Sequence, residues 1–489
     1  MSQKLDIRKR MSPEGRKALI GAQGGLFVDM FDVYLPIIVL APATMYFEPS
    51  GVSESTSRIL TALVFAATLL GRPLGALIFG HLSDRSGRRR TTIISMVGFG
   101  VTTLAIAALP GFHSIGITAV ILLVLLRFID GIFLGGQYTA SAPLALEHSP
   151  QSKRGLNGSI LMTGFPLAYC ATALVTFVLL QLIPAAGLDS PYVQWGWRIP
   201  FVFGGLMALV LAVWFARNVR ESDAWKGASR SKKSPVLELF RGDNLRGFIQ
   251  VFILMSGIWL SFNMVGAVLP GVLIKSGIGS IVVTKILIAA YALLVVAYLG
   301  AGILSQRIGR RQFFFLQGTA IAVLAPVLFW VLAAGAVSSP LAIGAVIIAL
   351  VIVVVSIFAV VTTYIIERFH TGIRSSGYGL GYTAAVILPA FYAFFQVALG
   401  TVMPFEFTPV VLLALGGVLI VLGAALGPET KDVDLAAGAP TDAGIESMSS
   451  SMVGVPVPPR SELAPAGSST SSLERDLRFD ANPDLKIKE

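Results

Sequence analysis

Three observations predict an all-α integral membrane fold with twelve transmembrane helices in two pseudo-symmetric six-helix halves. Charged residues make up 13% of the 489 positions and hydrophobic ones 55%, where a soluble chain carries roughly a quarter charged residues. The mean hydropathy is +0.78. The apolar residues gather into twelve runs, each near the roughly 20 residues that a helix needs to cross the hydrocarbon core.

In the first half the runs lie near Ala18–Ala41, Ile59–Gly80, Thr91–Pro110, Gly116–Ala145, Leu156–Ile183 and Ile199–Ala216. In the second they lie near Gly247–Pro270, Ile281–Ser305, Phe313–Ala334, Leu341–Ile366, Ser376–Leu399 and Pro409–Gly427. The first run is long and lacks a small-residue cleavage pattern, so it reads as a retained helix rather than a signal peptide.

Lysine and arginine concentrate in cytoplasmic loops of membrane proteins. Here they fall before the first run (Lys4, Arg8, Lys9, Arg10, Arg16, Lys17), between the second and third (Arg85, Arg88, Arg89, Arg90) and between the fourth and fifth (Lys153, Arg154). They return between the eighth and ninth (Arg307, Arg310, Arg311) and between the tenth and eleventh (Arg368, Arg374). This alternation predicts a multi-pass protein of the plasma (inner) membrane with both termini cytoplasmic.

Residues 1–216 and 247–429 form the two halves. The stretch 217–246 holds eight basic residues and no apolar run, and reads as a cytoplasmic linker. Residues 430–489 turn to Ser, Pro, Gly, Ala and acidic types, a composition that cannot bury enough apolar area to offset ordering entropy, so a disordered cytoplasmic tail is expected.

Composition also narrows function. The net charge of +10 sits in short clusters between apolar runs rather than along one polar face, which reads as topology signal and not nucleic-acid binding. A single cysteine, Cys170, allows no disulfide framework, and His81, His113, His148 and His370 are too scattered for a metal site. No nucleotide-binding loop or Ser/His/Asp set appears, so neither an enzyme nor an ATP-driven pump is expected. No cofactor is expected beyond a proton as coupling ion. The expected partners are the lipid bilayer and a small-molecule substrate, and the expected state is a monomer.

The halves are related by sequence. GHLSDRSGRRR at Gly80–Arg90 returns as GILSQRIGRRQ at Gly302–Gln312, an offset of 222. Glu147 and Arg154 after the fourth run return as Glu367 and Arg374 after the tenth, an offset of 220. Two motifs at nearly one offset imply duplication of a six-helix unit.

The Gly80-x-x-x-Asp84-Arg85-x-Gly87-Arg88-Arg89 string resembles the signature loop of the major facilitator superfamily. Within it the chain is similar to the metabolite:proton symporters, through Arg72-Pro73-Leu74-Gly75, Arg127, Gly135-Gly136-Gln137-Tyr138, Glu147 to Arg154-Gly155, and Gly196-Trp197-Arg198-Ile199-Pro200-Phe201. The first helix, with Asp29-Met30-Phe31-Asp32, is closer to the aromatic acid:proton symporters. Members commonly have Glu at the place of Gln137 and Gln at that of Asp130. The resemblance implies a secondary transporter working by alternating access.

Ionisable groups deep in a span cost a few kcal/mol each, which makes those that persist functional candidates. Five stand there, Asp29, Asp32, Arg72, Arg127 and Asp130, all in the first half. The second half's spans hold only Lys285, near a helix end where it can snorkel. Asp29 with Asp32, and Arg127 with Asp130, are three apart and so share a helix face. Each pair begins about 16 Å into its run, near the midplane. By the resemblance, Asp32 and Arg127 occupy the positions of a first-helix carboxylate and a fourth-helix arginine that couple protons in related carriers. A carboxylate facing arginine can hold a proton or an ion pair, and the two states favour different helix arrangements. The alternative is a permanent structural pair. Asp29 and Asp130 are further proton-coupling candidates.

Arg72 lies about 12 Å from its helix end and reads either as an anion contact or as a partner for Asp130 or helix-end carbonyls. Tyr34, Tyr138, Trp259, Asn263, Tyr291, Tyr382 and Gln396 are polar or aromatic positions able to line a central cavity, with ordinary helix contact as the alternative. Gly80, Asp84, Arg85, Gly87, Arg88, Glu147, Arg154, Glu367 and Arg374 form a candidate cytoplasmic gate, since opposite charges at helix ends can hold two halves together. Gln306 replaces the aspartate in the second copy, so the two locks are unequal. Arg89, Arg90 and Arg311 read as solvated loop charge. Secondary symport with protons of a small organic anion or zwitterion fits these residues, with a facilitator or antiporter of the same fold, or a transporter-like receptor, as alternatives.

Overall fold

The computed structural model describes residues 11–49, 54–227, 234–275 and 277–435. Twelve long helical segments follow one another. In the first half they are α1 (Pro13–Val39), α2 (Glu54–Ser86), α3 (Arg88–Ala107), α4 (Thr118–Glu147), α5 (Gln151–Leu182) and α6 (Tyr192–Asn218). In the second they are α7 (Gly242–Ile274), α8 (Ile281–Ile308), α9 (Arg310–Ala333), α10 (Pro340–Arg368), α11 (Arg374–Leu399) and α12 (Phe405–Leu426). Eleven are long and apolar enough to cross a membrane by composition alone. The other, α2, runs 33 residues and carries Arg72 at its centre.

Large apolar side chains such as Leu70, Val210, Val296, Val323 and Phe394 stand exposed on the outside of the bundle, while Arg88, Arg127, Arg310 and Arg374 are enclosed within it. A water-soluble protein arranges these types the other way round. The inversion identifies hydrocarbon as the surrounding solvent.

Local chemistry sets several helix ends. Ser12 caps α1, its hydroxyl accepting from Gly15 N at 3.0 Å, with Pro13 in the first helical position. Gly87 and Gly309 precede α3 and α9 at φ of 108° and 103°, a left-handed backbone that a side chain strains. Pro36 lies in a π-helical turn, Leu35–Val39, that ends α1, and a second such turn, Met264–Val268, interrupts α7 at the related place.

The contact between α2 and α4 positions the buried charges. Gly131 and Gly135 of α4 face the α2 backbone so closely that a Cβ would lie 2.2 Å from Thr68 O and 2.3 Å from Arg72 O. This small-residue face lets the two backbones touch and brings Thr68 and Arg72 beside Arg127 and Asp130.

The ends of the halves differ slightly from the sequence expectation. The last helix of the first half extends to Asn218, and the second half begins at Gly242. Between them lie two short helices, Asp223–Gly227 and Pro235–Leu239. The expected disordered tail needs correction at its start. Thr430 and Leu435 are buried, because backbone carbonyls of this segment are taken up by arginines at the bundle end. Residues 436–489, where the rest of that expectation falls, lie outside the described residues.

Candidate functional site

The first group of candidate residues lies buried between α1, α2, α3 and α4. Arg127 donates from Nη1 to Asp32 Oδ2 at 2.9 Å, from Nε to Thr68 Oγ1 at 2.9 Å, and from Nη2 to the Asp32 carbonyl at 3.3 Å. Thr103 of α3 donates to Asp32 Oδ1 at 2.8 Å. Asp130 approaches the same Arg127 Nη1 at 3.1 Å. Arg127, Asp130 and Asp29 are fully enclosed, and Asp32 is 1% exposed. Buried charges persist only when paired and hydrogen-bonded, and Asp32 with Arg127 meets that condition through contacts from four helices.

Arg72 forms the second pair, donating to Asp29 Oδ1. Its guanidinium stands 5.6 Å from the centre of the Tyr138 ring, a cation–π arrangement. Aromatic contacts continue from there. Tyr138 meets Tyr382 at 5.6 Å and Tyr382 meets Trp259 at 5.6 Å, centroid to centroid. Tyr34 meets Tyr169 edge-on at 5.2 Å, and Tyr169 stacks on Tyr291 at 4.0 Å. The aromatic residues therefore join the charged helices of the first half to α7, α8 and α11 of the second.

The second group closes one end of the bundle, the face that carries the repeated basic loops. Arg88 contacts Glu147 at 2.8 Å and donates to Thr371 O at 3.1 Å, while Arg374 donates to Glu147 at 2.5 Å. On the related side Arg154 and Arg310 both reach Glu367, at 3.3 and 3.2 Å. Asp84 accepts from the backbone N–H groups of Ser375 and Ser376, at 2.9 and 2.8 Å, at the amino end of α11. A carboxylate there satisfies two unpaired donors and complements the helix dipole. The contacts of Asp84, Arg88, Arg154 and Arg374 on this face thus cross from one half to the other.

The sequence profile described as "Major Facilitator Superfamily" matches residues 24–393. The chain belongs to this superfamily. The alpha-ketoglutarate permease of Escherichia coli (strain K12) is 32% identical over 372 residues, covering 75% of this chain and 83% of the relative. The inner membrane metabolite transport protein YhjE of the same strain is 32% identical over 263 residues, 53% of this chain, and the match spans only 57% of that protein's length. Among solved structures, the proton:xylose symporter XylE bound to 6-bromo-6-deoxy-D-glucose superposes with a TM-score of 0.66 at 20% identity, covering 87% of this chain and 98% of the other. That likeness is one of fold. This major facilitator protein is therefore a multi-pass membrane transporter and not an enzyme, and the twelve-helix architecture follows from the same membership.

Within this transporter the structure brings together Asp32, Arg127 and Asp130, and separately Asp29 and Arg72. It also brings together Asp84, Arg88, Glu147, Arg154, Glu367 and Arg374. Gly80 packs against Ser376, where a Cβ would lie 3.0 Å from the Ser376 Cα, and Gly87 makes the turn before α3. Tyr34, Tyr138, Trp259, Tyr291 and Tyr382 all join the aromatic contacts.

Several expectations are corrected. Arg85 stands exposed with no ion pair among the described residues. Gln396 is remote from the charged centre, donating to Thr408 Oγ1 at 3.1 Å across the α11–α12 connection. Asn263 donates to the Pro389 carbonyl at 2.9 Å, where α11 breaks and frees backbone acceptors. Arg72 pairs with Asp29, not with Asp130. Arg89 and Arg311 are not simply solvated. Arg89 donates to Val219 O and Ala216 O at the end of α6, and Arg311 to Ala424 O and Ala425 O at the end of α12.

Other functional residues escaped sequence reasoning. Arg310, fully buried, is the counterpart of Arg88, and the 222-residue offset pointed to it. Glu221 and Glu429 accept the first backbone N–H groups of α3 and α9, Arg89 N at 3.0 Å and Arg310 N at 2.8 Å. Each follows the last helix of its half, a placement that the repeat makes visible only once the loops are superposed. Phe165, Tyr169 and Phe358 carried no signal, since an aromatic residue inside an apolar run faces lipid or centre with equal ease.

Proposed function

We propose that this transporter moves a small organic anion or zwitterion together with protons, by alternating access, with Asp32, Arg127 and Asp130 as the proton-coupling cluster and Asp29 assisting. The observation that carries this reading is the enclosed set of three carboxylates and two arginines near the middle of one half. A neutral or fixed pathway has no use for charges that are this costly to bury. Protonation changes what Arg127 must balance, and so favours one helix arrangement over the other. Arg72 is the substrate-anion contact in this reading, with Tyr34, Tyr138 and Tyr382 beside it. Its cation–π contact leaves it facing the aromatic centre, and the printed name of the alpha-ketoglutarate relative supports an anionic substrate.

The basic face is the cytoplasmic side of the plasma (inner) membrane in this proposal, and the protein works as a monomer in the bilayer. Reporter fusions at Ser50, Ser231 and Ser469 should read outside, inside and inside. An outside signal at Ser231 would overturn the two-half layout.

The deciding experiment is uptake into proteoliposomes of a panel of labelled organic acids and zwitterions, with and without an imposed pH gradient. Accumulation should require the gradient. Arg127→Ala should abolish both accumulation and exchange, because it strands buried carboxylates without a partner. Equal uptake with and without the gradient would make the protein a facilitator.

A further inference from the structure

The cluster between α1 and α4 does not balance as drawn with every group ionised. Asp29, Asp32 and Asp130 bring three negative charges, and Arg72 and Arg127 two positive ones, all enclosed or nearly so. Guanidinium does not give up its proton in proteins. Neutrality in a region shut off from water is therefore reached by adding a proton to one carboxylate.

The hydrogen bonds distinguish the three acids. Asp32 accepts on both oxygens, from Arg127 and from Thr103. Asp29 accepts from Arg72 on one oxygen. Asp130 accepts no hydrogen bond on either oxygen among the described residues, although both are buried. Among the described residues its one ion pair is the 3.1 Å approach to Arg127 Nη1, a nitrogen already donating to Asp32 at 2.9 Å. An ionised carboxylate without donors bears its full desolvation cost, which is far larger than that of a neutral acid. The groups that face Asp130 are Asp32 and Asp29 from α1, Arg72 from α2 by way of Asp29, and Arg127 on α4 itself. The polar groups supplied there by α2 and α3, Thr68 and Thr103, are already engaged with Arg127 and Asp32.

We propose that Asp130, rather than Asp32, holds the cluster's resident proton in this closed state, while Asp32 remains ionised as the fixed partner of Arg127. This rests on the proton-coupled reading and names the acid that serves it. When the helices part and water enters, the Asp130 O–H bond breaks, the proton passes to water and the carboxylate left behind shares Arg127 Nη1 with Asp32. Reloading reverses the step.

Infrared spectroscopy of the reconstituted protein tests the assignment, because a buried protonated carboxyl has a carbonyl stretch distinct from that of a carboxylate. At neutral pH the wild type should show this band, Asp130→Asn should lose it, Asp130→Glu should shift it, and Asp32→Glu, which conserves the cluster's charge, should leave it in place. Asp130→Asn replaces a neutral acid by a neutral amide of the same shape. It should therefore melt near wild type while losing gradient-driven accumulation. A band that survives in Asp130→Asn, or that shifts in Asp32→Glu but not in Asp130→Glu, overturns the proposal. A band that behaves as expected in a wild type showing no gradient-driven uptake upholds the Asp130 proton and overturns the coupled reading instead.

Discussion

Arg374, on the second half, donates to Glu147 at the end of α4 in the first half, and Arg154 of the first half returns the contact to Glu367 of the second. Each half therefore supplies the acid for the other's arginine. Both carboxylate side chains are fully buried, and removing one partner of a buried ion pair costs about 3–5 kcal/mol. Because these contacts exist only when the basic face is closed, that cost falls on the closed state.

Glu147→Gln and Glu367→Gln are each expected to shift the population toward the state open at the basic face. The double variant should add less than the sum, since one opening breaks both clusters. Distances between spin labels on the α2–α3 and α10–α11 loops report the shift. Unchanged distances in either single variant would show that the clusters do not hold the closure.

Asp84 and Gln306 occupy related positions but do different work. Asp84 brings a full negative charge to the amino end of α11. Gln306 accepts from Gly155 N at 2.8 Å with a neutral amide, and also takes Arg310. A charged acceptor at a helix amino end contributes about 0.3–1 kcal/mol more than a neutral one. Asp84→Asn should slow cycling measurably and Gln306→Ala should change it little, with counterflow rates as the measure. Equal effects would remove the asymmetry of the gate.

The segment after α12 acts at the same face. Arg154 donates to Val433 O at 2.8 Å, Arg374 to Leu435 O at 2.8 Å, and Thr430 Oγ1 to Glu367 at 2.8 Å. Truncation after Glu429 should therefore loosen closure and reduce uptake per inserted molecule. Truncation after Gly438 keeps those acceptors and, on the composition of what it removes, should leave uptake within about twofold. A large loss from the longer protein would return attention to a receptor-like tail.

His370, in the connection between α10 and α11, lies 3.3 Å from Glu238 of the linker helix Pro235–Leu239. Partial burial holds its imidazole below the ordinary histidine value, more than Glu238 raises it, and nearby Arg374 acts in the same direction as burial. A depressed value means that the docked form binds fewer protons than the undocked one. Docking is then favoured above about pH 6.5 and weakened as pH falls through the lower docked value. Hydrogen exchange of residues 235–241, corrected for intrinsic rate, should quicken on acidification, and His370→Gln should flatten that dependence. A slowing on acidification would mean that the Glu238 contact dominates.

Much of this was legible in the chain. Twelve spans, two halves and the list of buried charges follow from hydropathy and a repeat, because transfer of a run of about 20 residues into hydrocarbon depends on that run alone. The matched depths of Asp32 and Arg127 pointed to a pair for the same reason, rise per residue along a helix being constant. Partner choice depends on the crossing of helices far apart in sequence, and only the tertiary structure decided it. Glu147 and Arg154, seven apart, take partners from the other half. Arg72 turns to Asp29, while Asp130 is left beside an arginine already engaged. Glycines 131 and 135 set this outcome by drawing α4 against the α2 backbone, so that packing distance selected which charges could meet.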